Sequence, residues 1–209
     1  MIAFHFLFNL KEFYSYPVDY NNGIYFYIGK ASGILFIMMA AVSCSFSRNN
    51  GRRGLKILAL AGLITIVTHL YDPAYGIKFG ILHFLGTSIL LFPLFEKLNK
   101  YLLVVLGIMI IILGQIIDPL PAGNNYLFLF NLTSSTWVSA DYYPLFPWLG
   151  VFLFGIVLGK VFYSKKSSLF RNPPGRDFIS FLGQHTLSVY LIHQPLLLLI
   201  IGLYVKLTT

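Results

Sequence analysis

The sequence predicts an all-α fold, a polytopic transmembrane helix bundle with six full spans and a partial N-terminal helix. Three observations carry this reading. The 209 residues are 57% hydrophobic and 11% charged, with a mean hydropathy of +0.75, whereas a soluble domain carries about 25% charged residues. The apolar residues fall into runs near the roughly 20 residues that a helix needs to cross a bilayer. The cations cluster in alternate links between those runs, as membrane orientation requires.

The first run, residues 1–10, is too short to cross and reads as the outer end of a helix whose first half is missing. Full spans follow at 24–46, 55–72, 77–96, 101–118, 145–163 and 178–204. The links are short except 119–144, which is rich in Pro, Gly and Asn and carries Trp137, Asp141 and Tyr142; a link of that length is expected to fold as a cap. Pro144 and Pro147 open the fifth span, where proline is tolerated. Gly150, Gly155 and Gly159 allow close helix approach and permit a homodimer. Pro195 is expected to kink the last span. No repeat and no soluble segment interrupts the pattern, so residues 1–209 form one transmembrane domain.

Orientation follows from charge. Arg48, Arg52, Arg53, Lys56, Lys97, Lys100, Lys160, Lys165, Lys166, Arg171 and Arg176, eleven of the fifteen cations, fall on one side, and the positive-inside rule makes that side cytoplasmic. Asp19, Asp72, Asp118 and Asp141 lie in or at the edge of the opposite links. The protein is therefore expected in the plasma membrane with its C-terminus outside. The net charge of +8 reports this orientation, and no nucleic-acid partner is implied. The single Cys44 excludes an internal disulfide and reads as a small packing residue. The inner run SRNNGRRGLK suits anionic headgroups.

Four of the five histidines sit inside apolar stretches: His5, His69, His83 and His193. At about 1.5 Å per residue, His69 lies roughly 5 Å below the outer surface, His83 and His5 about 8–9 Å, Lys30 about 10 Å and His193 near mid-membrane. Ionisable side chains in hydrocarbon are costly, and their presence points to a functional chamber. The outer-half set is His5, Lys30, His69, Asp72, Lys78 and His83. Histidine takes and returns a proton near neutrality, and an Asp beside it fixes its tautomer. His69 and Asp72 share a helix face at i,i+3 spacing if the helix reaches Asp72, and Pro73 argues that it ends about there. Lys30 and Lys78 also suit snorkelling to the interface. No His-x-x-His or His-Glu-x-x-His spacing occurs, so no metal is expected. In the tail FLGQHTLSVYLIHQP, Gln184, His185 and Ser188 read as interhelical glue, while His193 and Gln194 beside Pro195 are the functional candidates.

The segments MIAFHFLFNL, ASGILFIMMAAVSCSFSR, KFGILHFLG, YYPLFPWLGVFLFGIVLG and LGQHTLSVYLIHQP, in this order, resemble the heparan-α-glucosaminide N-acetyltransferase catalytic-domain family of transmembrane acyltransferases. The resemblance implies acyl transfer across the membrane. Acetyl-CoA would be the cytosolic donor, and a carbohydrate or amino sugar at the outer face would accept on an amine or hydroxyl. It implies a site residue at His5, where the lysosomal branch has Asn. The second catalytic His of that branch has no counterpart in Leu10–Asn22. The resemblance also implies an Asp and an Arg-Gly pair ahead of the segment that starts here at Met1, so the chain is expected to begin downstream of that half-helix. On this reading His5 or His69 is the general base, Asp72 orients a His, and Lys30 or Lys78 stabilises the oxyanion. Lys30, Lys78, His83, Asp141, His193 and Gln194 bind substrate or donor. The alternative is a small-solute or proton-coupled transporter component that uses the same His and Asp set.

Overall fold

The computed structural model describes residues 2–14, 16–17, 22–73, 76–118, 120, 122–164 and 178–208. Asp19, Lys165, Lys166, Arg171 and Arg176, all used in the orientation argument, lie outside the described residues. Among the described residues the fold is all-α, with helices α1 (Ile2–Tyr14), α2 (Gly23–Cys44), α3 (Asn50–Tyr71), α4 (Ile81–Glu96), α5 (Lys100–Ile117), α6 (Leu145–Phe162), α7 (Phe178–Gln184) and α8 (Thr186–Thr208). One 3₁₀ turn, Phe128–Phe130, lies in the long link between α5 and α6. The helices α2, α3, α5, α6 and α8 are long and apolar enough to cross a membrane. Many of their exposed positions are large hydrophobic residues, among them Leu63, Leu70, Ile112, Leu199 and Leu207, as suits a lipid-facing surface.

Two expected spans differ from the observed helices. The run at 77–96 yields only the 16 residues of α4, about 24 Å at the helical rise. Its first residues are recruited elsewhere. The Ile77 amide donates to Thr68 Oγ1 and the Lys78 amide to Ser139 Oγ, both at 3.1 Å. The Phe79 carbonyl accepts from the Tyr143 amide at 2.9 Å. These bonds fix the backbone against neighbouring segments, so the helix starts only after Gly80. The run at 178–204 is divided at His185, whose amide is shared between the Phe181 and Leu182 carbonyls at 3.2 Å each. The spanning helix α8 then begins at Thr186 and continues through Pro195.

The described residues group into two compact units, residues 36–167 and residues 1–35 with 168–209. In the first of these, α3 packs on α4 and α5 on α6. Glycine sets the closeness of both pairs. A Cβ on Gly150 would lie 2.5 Å from the Gly107 carbonyl, and one on Gly86 would lie 2.6 Å from Leu58. The expected role of Gly155 as a packing device is met by α2: a Cβ there would strike Ala41 and the Met38 carbonyl at 2.6 Å. Phe84, Phe92, Phe152, Ile89, Leu103 and Ile156 fill the core between these helices. On the charged side Asn49 and Asn99 cap α3 and α5 through the Arg52 and Leu102 amides, at 2.8 and 2.7 Å. The Arg53 guanidinium donates to Ser43 Oγ at 2.7 Å.

The long link folds as a cap. Asn131 Nδ2 donates to Asp118 Oδ1 at 2.9 Å, and the Ser134 amide donates to Asn125 Oδ1 at 2.7 Å. Phe128 and Trp137 stack with centroids 5.3 Å apart, and Tyr142 lies against Trp137 at 5.7 Å. The Tyr142 hydroxyl donates to the Phe128 carbonyl.

In the other unit α1 packs on α8. Phe4 fills the space over Gly29, where a Cβ would approach its ring to 2.5 Å, and the Tyr14 hydroxyl reaches Gly202.

Candidate functional site

Polar side chains gather in each of the two units. In residues 36–167 the centre is Asp141. Its Oδ2 accepts from the Ile81 amide at 2.8 Å. The first turn of α4 has no side-chain cap of its own, because its N-cap is Gly80; Asp141 supplies one from a distant part of the chain. Gly80 is required for this approach, since a Cβ there would lie 2.3 Å from Oδ2. The Ser139 hydroxyl donates to the Asp141 carbonyl at 2.8 Å. Burial pushes the Asp141 carboxyl up to about 6, against the opposing pull of the Ile81 amide. Burial and the Asp141 charge together raise the neighbouring Tyr143 phenol above its ordinary range.

Around this cap, Lys78 Nζ sits 4.7 Å from the centroid of the Trp137 ring, a cation–π contact. His83 Nε2 lies 3.2 Å from Thr65 Oγ1, joining α4 to α3, and its ring rests 5.6 Å from Phe79. His69 is exposed in the last turn of α3, with Gly76 packed beside it. The i,i+3 argument for His69 and Asp72 does not hold: α3 ends at Tyr71, and Asp72 is the C-cap in extended conformation at φ −151°, ψ 106°. Pro73 has the effect expected of it, because a residue before proline is driven out of the helical region.

In residues 1–35 with 168–209 a second polar group bridges α1 and α8. The His5 and His193 rings lie 4.8 Å apart. One turn along α1, Asn9 Oδ1 accepts from Gln194 Nε2 at 2.7 Å. Asn9 is fully buried and His193 is only 6% exposed. His193 Nδ1 bonds the Tyr190 carbonyl. Four atoms of this cluster are buried and have no hydrogen-bond partner: His5 Nδ1, Asn9 Nδ2, His193 Nε2 and Gln194 Oε1. Such atoms normally find partners when buried, and here four lie together where α1 meets α8. Lys30 is exposed, with Nζ 4.5 Å from the Phe26 centroid. The helices α1, α2 and α8 also line an open groove of about 610 Å³ from Ile2, Ala3, Phe6, Leu7, Tyr25 and Leu197, which presents almost no polar surface. His185 bonds the Phe181 carbonyl one turn back at 3.0 Å.

His5, His193 and Gln194 are thus brought together with Asn9, a residue that carries no ionisable group and was not among the expected site residues. Its signal was legible: Asn9 stands four residues after His5, on the same face of an apolar helix. Among the described residues no three His, Cys, Asp or Glu side chains group as metal ligands would.

The family model for the heparan-α-glucosaminide N-acetyltransferase catalytic region matches residues 1–195. The chain belongs to this family. It is a multi-pass membrane protein of an acyltransferase family, and the match takes in α1 and the His193–Gln194 pair. No curated protein and no solved structure matches the chain.

Proposed function

We propose that this protein is a membrane-embedded acyltransferase, moving an acetyl or longer acyl group from cytosolic acyl-CoA to a sugar amine or hydroxyl at the outer face. The observation that carries this reading is the family match over residues 1–195. The α1–α8 cluster supports it, since acyl transfer needs a buried group that accepts a proton as the nucleophile attacks. The general base comes from the histidine pair His5 and His193. His5 is favoured over His69, because His69 lies exposed at the end of α3 while His5 Nδ1 is buried without a partner. Orientation in the plasma membrane follows the cation distribution, with the C-terminus outside.

The acceptor N–H or O–H attacks the thioester carbonyl, the C–S bond breaks, and the departing thiolate takes the proton that the base received. Acetyl-CoA binding by the purified chain, followed by donor-dependent acetylation of amino sugars, tests this. Binding with transfer is the expected result. If neither acetyl-CoA nor a longer acyl-CoA binds, the acyltransferase reading is wrong. Replacing both His5 and His193 by Ala is expected to lower transfer by about 100-fold or more and to leave donor affinity unchanged.

A further inference from the structure

The α1–α8 cluster carries more than a general site for proton transfer, because one of its two histidines has its tautomer assigned by the backbone. A peptide carbonyl only accepts, so the bond between His193 Nδ1 and the Tyr190 carbonyl requires the proton on Nδ1. In the neutral ring this leaves the lone pair on Nε2. That atom is buried and has no partner. The arrangement is the one a general base needs, with one nitrogen held by a fixed acceptor and the other presented bare. When Nε2 takes a proton, the Tyr190 carbonyl still accepts from Nδ1 and steadies the imidazolium.

The amide pair adds the complement. Asn9 Oδ1 accepts from Gln194 Nε2, which uses one end of each amide and leaves Asn9 Nδ2 as a buried donor and Gln194 Oε1 as a buried acceptor. A neutral group able both to donate and to accept satisfies them, and an amine or hydroxyl is such a group. A carboxylate or phosphate does not suit the unmet acceptors Gln194 Oε1 and His193 Nε2.

We infer that His193 is the residue that takes the proton from the acceptor's amine or hydroxyl, in a subsite whose remaining polar contacts are Asn9 Nδ2 and Gln194 Oε1. This rests on the acyltransferase reading. The acceptor's N–H or O–H proton passes to His193 Nε2 as nitrogen or oxygen bonds the acyl carbon. It returns to the coenzyme sulfur as the C–S bond breaks. His5, 4.8 Å away ring to ring, is then a positioning residue.

The test reads the tautomer directly. The full chain is labelled with ¹⁵N-histidine in lipid nanodiscs. The His193 signals are identified by their loss in His193→Gln or, should that variant fail to fold, by their loss in His193→Asn. A neutral ring protonated on Nδ1 and bare on Nε2 is expected; a ring protonated on Nε2 overturns the proposal. With acetyl-CoA and glucosamine, His193→Ala is expected to lose about 100-fold in kcat, with donor affinity unchanged and partial recovery on adding imidazole. If His193→Ala keeps the wild-type kcat, the base assignment falls and the acyltransferase reading survives. If the wild-type chain binds no acyl-CoA, both fall.

Discussion

Asp141 illustrates how one residue is held by opposing terms. An anion at a helix N-terminus is favoured by the unpaired amides there, and the Ile81 amide does pull the carboxyl down. Burial against Gly80 is the larger effect, and the net shift is upward, to about 6. The folded state therefore prefers the protonated acid. Its contribution to stability is fully present below about pH 4 and is lost as pH rises through about 6. Asp141→Asn keeps an oxygen that can accept from Ile81 and removes the charge. Thermal unfolding in detergent from pH 4 to 8 is expected to show the variant gaining on the wild type by a few degrees as pH rises from 4 to 6, then running parallel. A difference that is flat across that range rules out this balance. Cap residues with no such conflict behave more simply. Asn49→Ala removes the acceptor for the Arg52 amide and is expected to cost about 1 kcal/mol, read as a lower unfolding midpoint.

The helices show where local pattern and tertiary demand diverge. Length and apolar content were enough to locate α2, α3, α5 and α6, whose ends depart by only a few residues from those expected. The N-terminal end of α4 was not legible, because Ile77, Lys78 and Phe79 are apolar or helix-tolerant residues whose backbone is captured by Thr68, Ser139 and Tyr143, partners up to about 60 residues away in sequence. The break at His185 is similarly invisible in an apolar run. Helix pairing depends on contacts that only small residues permit. Gly150→Leu would drive a side chain into the Gly107 carbonyl and Ile111, and is expected to destabilise by roughly 1–3 kcal/mol or more. Gly62, where a Cβ meets nothing within 4 Å, serves as the control, with Gly62→Ala expected to leave the unfolding midpoint unchanged or slightly raised. Equal effects at both positions contradict close packing as the reason for Gly150.

For the whole molecule, the charge pattern predicts a testable topology. A tag appended after Thr209 is expected to be labelled by a membrane-impermeant reagent on intact cells, and a cysteine placed at Arg48 is expected to be protected until the cells are opened. The reverse pattern inverts the orientation and puts the α1–α8 cluster at odds with an outer-face acceptor.

Composition, apolar run length and cation placement by themselves determined that this chain is a polytopic helical membrane protein, because the bilayer selects each residue by its own transfer energy and leaves its mark in sequence order. The order of a few motifs was enough to indicate the family. The grouping of His5 and Asn9 with His193 and Gln194, about 185 residues apart, was decided only by the packing of α1 on α8. The use of Asp141 as the cap of a helix that starts 60 residues before it was likewise set by tertiary contact, in the other unit. Hydrogen bonds have directions and short reach, so the partners of a buried polar atom are set by which helices meet and at what register, and no local pattern records that.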